Sequence, residues 1–525
     1  MSALAPFRNR RKRVPSGSSI PRPVALFERL RREIDRLRKE NKDLRKKADE
    51  DRERIAELEK QADLLKNLEK ELADRDKKID DLEHQLAGRK KDSSNSSKPP
   101  SSDGPAARKR VNAQRKKSRR KPGGQKGHPG KYRVLVPTEK TDKVIEVFPS
   151  ACTCGHRFPK DGKGCCRTGK PHRHQVSELP EIRPHITEYQ FWRVICPDCG
   201  KVLWAPVPRE ILSQFGPKLT ALLAYLTVVC RMPRRKMEEL LENVFATPIS
   251  LGSTQKAVEE TSTALHSSYQ ELEQQLPNEG ALNGDETGWR GDGMKRWLWV
   301  LVARFFVFFT IAKSRSSAVL YQLLGLQFLG ILCSDRYSAY IKYHKGRAQF
   351  CWAHLKRDLL GLQQFARTTV ADRFARDALA LHARLFRLWH RFRQGDIDQS
   401  QLNLKSIPLE KKFFALAEKH LNCADAEVRT LARLFFDHID RLFAFTMYPG
   451  VEPTNNKAER AIRTAVQWRK TSFGNRSQKG ELATARLLTA AGTCKMQQRN
   501  ILEFLEETIR LHRAGLPTPS LLPQP

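Results

Sequence analysis

Two carboxylates stand directly before the most strand-like run of the chain. The run is residues 296–312, RWLWVLVARFFVFFTIA, and the stretch ahead of it is residues 281–289, ALNGDETGW. Aromatic and β-branched residues at this density suit a buried sheet better than a helix face. WLWVLVA and RFFVFFTIA read as two antiparallel strands, although no Gly or Asn marks a turn between them. Asp285 and Glu286, placed between Gly284 and Gly288, then lie among strands. A carboxylate buried there is costly without a partner, and a divalent cation is a good one. An acidic turn before a hairpin accounts for the same residues equally well.

Two later stretches supply further carboxylates. Residues 316–324 read as a helix, and residues 328–340, FLGILCSDRYSAY, begin with a buried strand that ends at Asp335. Residues 348–354 suggest another strand, leading into a helix through Lys356 and Arg357. Residues 359–447 are almost entirely helical in pattern and read as an insertion that packs its own core. A helix then starts near Thr454 or Asn455, with Glu459 in its second turn and Arg460, Arg463 and Arg469 after it. Carboxylates on a first strand, at the end of a neighbouring strand and on an adjacent helix can converge on one point. Three of them can hold two Mg²⁺ ions, the arrangement that serves in-line displacement at phosphorus. Taken singly, Asp335 also reads as a cap for the next helix, and Glu459 as an i,i+4 partner of Arg463.

The charge balance points to the partner. The chain has 525 residues, 96 Lys+Arg against 59 Asp+Glu, and a formal charge of +37. Such an excess suits a polyanion, most simply nucleic acid. No apolar run reaches the roughly 20 residues of a membrane-spanning helix. The N-terminus has no apolar secretory core, and 11 Cys in a long chain do not form a secreted disulfide framework. A reducing cytoplasm is the expected location.

The N-terminal half is modular. After a basic tail (1–23), heptads put Phe27, Ile34, Asn41, Ala48, Ile55 and Ala62 at position a. Leu30, Leu37, Leu44, Asp51, Leu58 and Leu65 take position d. This predicts a coiled coil over 24–88 and a homo-oligomer, with a register slip after Leu65. The alternative is one long solvated helix. Residues 89–135 form a Ser/Pro/Gly-rich linker with a Lys/Arg cluster at 108–121 suited to the DNA backbone. In 136–210, Cys152-Thr-Cys154-Gly and Cys196-Pro-Asp-Cys199-Gly read as two knuckles clamping one structural Zn²⁺ through four thiolates. Residues 211–280 read as helices. One pair is either a helix-turn-helix DNA reader or a plain packed pair, with Ser253 or Thr254 as the cap of its second member.

Together these stretches resemble the large catalytic subunit of the insertion-sequence-66 family of DDE transposases. The matching motifs are SSNSSKPPSSD (93–103), PGGQKGHPG (122–130), the paired CxCG and CPDCG, and FGPKLTALLAYL (215–226). They continue with GDETGW (284–289), RWLWV (296–300), SDRYSAY (334–340), CWAHLKRD (351–358), NNKAERAIR (455–463) and RKTSFGNRSQKG (469–480). They stand in the family's order across residues 20–510. The first Cys pair is CxC where the family usually shows CxxC, and PTNN replaces a segment that usually carries an acidic residue. The resemblance implies a multidomain α+β chain with an RNase H-like catalytic domain at 281–475, interrupted by the helical insertion, and a C-terminal helical segment at 476–525. It implies Asp285, Asp335 and Glu459 as the DDE triad holding Mg²⁺ or Mn²⁺. Cleavage at element ends would free 3′-hydroxyls that attack target DNA, with no covalent protein intermediate. Arg460, Arg463, Arg469 and Lys470 would grip phosphates, with His354 and Arg357 as accessory contacts. The partners are double-stranded DNA, further copies of the chain and small accessory proteins of the same element. An RNase H-like nuclease that never joins ends, and a DNA-binding regulator without enzymatic activity, are the competing readings.

Overall fold

The computed structural model of the chain describes residues 23–90, 95, 134–344 and 346–523. The basic tail and the 108–121 cluster lie outside the described residues. The chain divides into two units, one ending at Lys90 and the other beginning at Lys91.

The first unit is one continuous 68-residue helix, α1 (Pro23–Lys90). Its length follows from a sequence with no Pro or Gly between Pro23 and Gly88. Phe27, Leu30, Ile34, Leu37, Leu44, Ile55, Leu58 and Leu65 are all exposed along it. Ion pairs such as Arg32–Glu28 and Lys46–Glu50 brace the remaining surface at i,i+4 spacing.

The second unit begins with an open segment. Between residues 134 and 210 the chain is mostly extended and exposed. It forms one short antiparallel ladder, β1 (Arg193–Ile195) with β2 (Val202–Trp204). Four helices follow: α2 (Pro217–Val228), α3 (Arg234–Phe245), α4 (Leu251–Ala264) and α5 (His266–Gln275). The cap of α4 is Ser250, not Ser253 or Thr254. Its side chain accepts the Ser253 amide at 3.1 Å, because Ser250 is the last residue with extended backbone. Thr254, Ala257, Val258, Thr261, Ser262 and Ala264 of α4 are buried, so this helix packs into the body over most of its length.

The sheet organises the rest. Its strands are β3 (Ala281–Gly291), β4 (Met294–Val302), β5 (Val307–Ala312), β6 (Ile331–Ser334) and β7 (Ala348–Phe350). Their order is β5-β4-β3-β6-β7. The first three are antiparallel, and β6 and β7 run parallel to β3. The stretch around Asp285 is thus the central strand itself. It turns into β4 through Asp292 and Gly293, both with positive φ, as a two-residue hairpin of this twist demands. Helices α6 (Ser317–Leu324) and α7 (Ser338–Tyr343) flank β6 in sequence, and α8 (Trp352–Gln364) follows β7. The expected insertion is α9 (Thr369–Gln394), α10 (Gln399–Glu418), α11 (Ala426–Asp437) and α12 (Ile439–Met447). The chain closes with α13 (Asn456–Ser472), α14 (Gln478–Met496) and α15 (Ile501–Arg513).

Packing crosses the divisions expected at 280/281 and 475/476. One hydrophobic cluster joins Ala221, Val258 and Leu272 to the β3–β5 strands and to Leu488, Phe504 and Ile509. Thr489 and Thr493 of α14 even donate and accept on the β5 backbone, with Oγ1 of Thr489 taking the Phe309 amide at 2.9 Å. The insertion has no core wholly its own. Its cluster, centred on the fully buried Trp352, includes Ile331, Cys333 and Phe350 from β6 and β7.

Candidate active site

Alternation along β3 sends its two carboxylates to opposite faces. Asn283, Asp285 and Thr287 face α13, where Asn283 donates to Asn455 Oδ1 at 3.1 Å and Arg469 donates to Thr287 Oγ1 at 3.0 Å. Glu286 faces α7. It is buried, accepts the Tyr340 hydroxyl at 2.5 Å, and pairs with Arg315 at 2.6 Å. Arg315 is stacked on Tyr337, 3.8 Å from the ring centre, and lies 4.8 Å from that of Trp297. Glu286 is therefore both hydrogen-bonded and ion-paired. Among the described residues, Asp285 Oδ1 takes the neighbouring Glu286 amide, at 2.9 Å.

Asp335 follows β6 directly. The β3–β6 ladder runs from Ala281↔Ile331 to Asn283↔Cys333, and the same register two residues on sets Asp285 level with Asp335. Asp335 Oδ1 also takes the Tyr337 amide at 2.9 Å. The turn-capping role and a place beside Asp285 thus coexist. Glu459 comes from the first turn of α13. Its close titratable neighbour is not Arg463 but His354, whose Nδ1 lies 3.7 Å from Glu459 Oε1.

Asn455 brings these elements together. It stands at the N-terminus of α13 but does not cap that helix with its side chain. Instead Nδ2 donates to the Gly284 carbonyl at 2.7 Å, Oδ1 accepts from Asn283, and its amide donates to Cys351 Sγ at 3.2 Å. One buried side chain ties α13 to β3 beside Asp285, and its backbone ties both to the start of α8.

The electrostatics of the centre call for a cation. Burial first, then the charges of Glu286 and Asp335, holds the Asp285 carboxyl well above the usual carboxylate range, and Glu459 adds to the push. Burial raises Asp335 too, against the Tyr337 amide and the charges of Arg315 and Arg336. Glu459 Oε1 is buried without a hydrogen-bond partner among the described residues. Carboxylates so placed fit hard divalent ions, which supply the missing positive charge. The three are not gathered within 4.8 Å as a cage for a single ion. Among the described residues, the group that close is Cys351, His354 and Glu459.

The other expected residues divide. Arg460, Arg463 and Lys470 are exposed on α13. Arg469 is half-buried and spends its guanidinium on Thr287 and the Gly288 carbonyl, so it fastens α13 to β3. His354 is held down to about 4 by burial and then by Arg357 and Arg336, hence neutral near pH 7. The two Cys pairs sit in similar turns, with Gly155 and Gly200 in the left-handed region. The amides of Gly155 and Gly200 bond back to the carbonyls of Cys152 and Cys196 at 2.9 Å. The amides of Cys154 and Cys199 point at the Cys152 and Cys196 sulfurs and lower both thiols. Each knuckle is formed, but no three of the four sulfurs lie within 4.8 Å of one another.

The bonds made by Asn455, the place of Cys351 and the pairing of Glu286 with Tyr340 and Arg315 are not read from the sequence. The doubled Asn ahead of KAER and the Tyr in SDRYSAY were the available signals.

A five-stranded mixed sheet with two carboxylates at the end of its central parallel pair, and a third on a crossing helix, defines an α+β protein with a cation-ready acidic centre. The model of the transposase IS66 family matches residues 212–483, more than half of the chain, and the chain belongs to that family. Residues 13–134 match a family of unknown function, DUF6444. An uncharacterized protein of Sinorhizobium fredii, y4qI, is 30% identical over 204 residues, 36% of this chain and 37% of the relative. The match thus spans well under half of that relative's length. Among the described residues, no helix is long and apolar enough to cross a membrane.

Proposed function

We propose that the chain is a DNA transposase that cleaves the ends of its mobile element and joins the freed 3′-hydroxyls to target DNA. What supports this reading most is that Asp285, Asp335 and Glu459 come from three separate elements, with the β3–β6 register setting Asp285 level with Asp335 and the charges of Asp335 and Glu459 both raising Asp285. The strand order, with three antiparallel strands followed by two parallel to the first, supports an RNase H-like catalytic domain. Mg²⁺ or Mn²⁺, when bound by the three carboxylates, would activate the attacking oxygen and neutralise the leaving one.

The chain's own residues do the rest. Asn455 fixes the distance between the Glu459 helix and Asp285. Glu286, locked to Tyr340 and Arg315, keeps β3 seated on α7 from the opposite face. Arg460, Arg463 and Lys470, exposed on the helix that carries Glu459, are placed to hold phosphates near the scissile bond. His354, neutral and 3.7 Å from Glu459, and Arg357, whose charge acts on it, stand on α8 at the Glu459 end of α13. The exposed apolar stripe of α1 supports pairing with a second copy, which suits a reaction that must hold two DNA ends. The two Cys turns support one structural Zn²⁺ from Cys152, Cys154, Cys196 and Cys199.

The test is cleavage and joining of labelled element-end DNA with Mg²⁺, comparing the wild type with Glu459→Gln. Metal-dependent 3′-hydroxyl ends and joined products, lost in the variant, are expected. Cleavage without joining, with any required accessory protein supplied, would favour a nuclease. DNA binding with cleavage unaffected by Glu459→Gln would refute the reading.

A further inference from the structure

The first turn of α8 carries two metal-ligating side chains that the carboxylate centre does not use. Cys351 caps α8, and His354 follows three residues on, along the same face. One ligand atom from each of Cys351, His354 and Glu459 lies within 4.8 Å of the other two. A thiolate, an imidazole and a carboxylate at such separations need only small adjustments to meet around one tetrahedral ion. Two of the three are short of partners. His354 Nδ1 and Glu459 Oε1 are both buried and lack hydrogen bonds among the described residues.

The sulfur, by contrast, has donors, although burial, the largest effect, pushes the Cys351 thiol up and the Glu459 charge adds to this. The Asn455 amide donates to it at 3.2 Å, and the His354 and Ala353 amides at the start of α8 point at it as well. These amides offset burial in part and would stabilise the thiolate that a bound metal selects. Of the two guanidiniums nearby, Arg336 is engaged by Asp358, which lowers the repulsion an incoming cation would meet. The Glu459 side chain is a third exposed, which leaves a way in from solvent.

We propose that Cys351, His354 and Glu459 form a site for a thiophilic divalent cation of the zinc class, with solvent completing its coordination. Hard ions prefer oxygen, so the sulfur and imidazole select a different metal from the one the three acids fit. Glu459 is common to both sets. A soft ion at this site therefore withdraws it from the acidic centre and inhibits DNA cleavage. That consequence rests on the transposase reading; the binding does not.

The test is a Co²⁺ titration of the full chain in which Cys152, Cys154, Cys196 and Cys199 are all replaced by Ser, followed by absorption. We expect a thiolate-to-cobalt charge-transfer band that saturates at about one ion per chain. Adding Cys351→Ser should abolish it, and His354→Ala or Glu459→Gln should weaken binding at least ~10-fold. No band, or a band that Cys351→Ser leaves intact, overturns the proposal. Should Cys351→Ser fail to fold by circular dichroism, Glu459→Gln decides, and unchanged cobalt affinity overturns it. In parallel, Zn²⁺ should inhibit Mg²⁺-supported cleavage by the wild type. Zinc-insensitive cleavage would overturn the coupling between the two sites. Absence of any cleavage would count against the transposase reading and leave the cobalt result standing.

Discussion

Replacing Asn455 by Ala should damage stability and chemistry together. The side chain is 2% exposed and makes two hydrogen bonds that water cannot replace, to the Gly284 carbonyl and from the Asn283 amide. Gly284 is the first residue of β3 beyond the recorded ladder to β6, so Asn455 takes the place of a strand partner there. Truncation leaves a carbonyl and an amide buried without partners, at roughly 1–3 kcal/mol each. Relaxation of the surroundings offsets part of this, so a loss of about 2–4 kcal/mol is expected. Asn455 also fixes the start of α13, one turn before Glu459. Loosening it should lower cleavage by about 10²-fold, as misplacement of a reacting group by about 1 Å does. The assays are the denaturant midpoint of the sheet-containing unit, read by tryptophan fluorescence, and cleavage of element-end DNA. Asn455→Asp provides the control. It keeps the acceptor for Asn283 but loses the donor to Gly284, so it should also be destabilised. A midpoint and a cleavage rate within error of wild type for Asn455→Ala would refute the positioning role.

His382 is buried against Trp352 and Phe386, and burial, with Lys356, holds its imidazole down to about 4. Because this lies below the unfolded value of about 6.5, the unfolded chain protonates first. The neutral ring's stabilisation is complete above pH 6.5 and is lost as pH falls toward 4, by up to about 3 kcal/mol. His382→Leu should flatten that acid limb of the stability curve, and an unchanged slope would contradict the assignment. Arg513 donates twice to Glu260, at 2.7 and 3.0 Å, and also to the Phe215 carbonyl and Thr220. Arg513→Met should cost about 3 kcal/mol in chemical unfolding, since Glu260 is left half-buried and alone. Leu30→Asn with Leu37→Asn should shift the full chain toward monomer in sedimentation, and an unchanged mass would exclude pairing through α1. Purified chain should carry zinc, and Cys196→Ser should lower the content by about one ion per chain in elemental analysis; equal content would sink the four-thiolate site.

Much of the fold was legible because it rests on local pattern. The strands at 296–312, the strand ending at Asp335 and the helix carrying Glu459 all follow from hydrophobic period and capping preference. What was not legible depends on partners distant in sequence. Asp292-Gly293 is a strong hairpin signal, yet with GDETGW read as a lead-in to the sheet, the extent of β3 was missed. Nothing local says that α14 will place Thr489 and Thr493 on the β5 backbone, so the division at 475/476 looked natural in sequence and vanishes in the packing. Arg469 looked like its exposed neighbours Arg463 and Lys470. Only the approach of α13 to β3 turns it into a tie between them.

The two metal-related regions stand on different physical footing. Asp285, Asp335 and Glu459 are held by a sheet, a buried Asn and two hydrophobic clusters, whose packing is apolar and hydrogen-bonded. The acids stand there at an electrostatic cost that a cation would relieve, so under the proposed reading the ion serves chemistry rather than the fold. The 134–210 segment is the reverse. Trp192, Val194, Ile195, Leu203 and Trp204 are all exposed, and no three of its four paired-Cys sulfurs lie within 4.8 Å of one another. A stretch that buries so little has no apolar core to hold it closed, and a metal clamp is the substitute available to it. Chelation should therefore leave the 212–523 body folded with its chemistry switched off. The same treatment should increase hydrogen exchange through 134–210, where a metal would be a structural element.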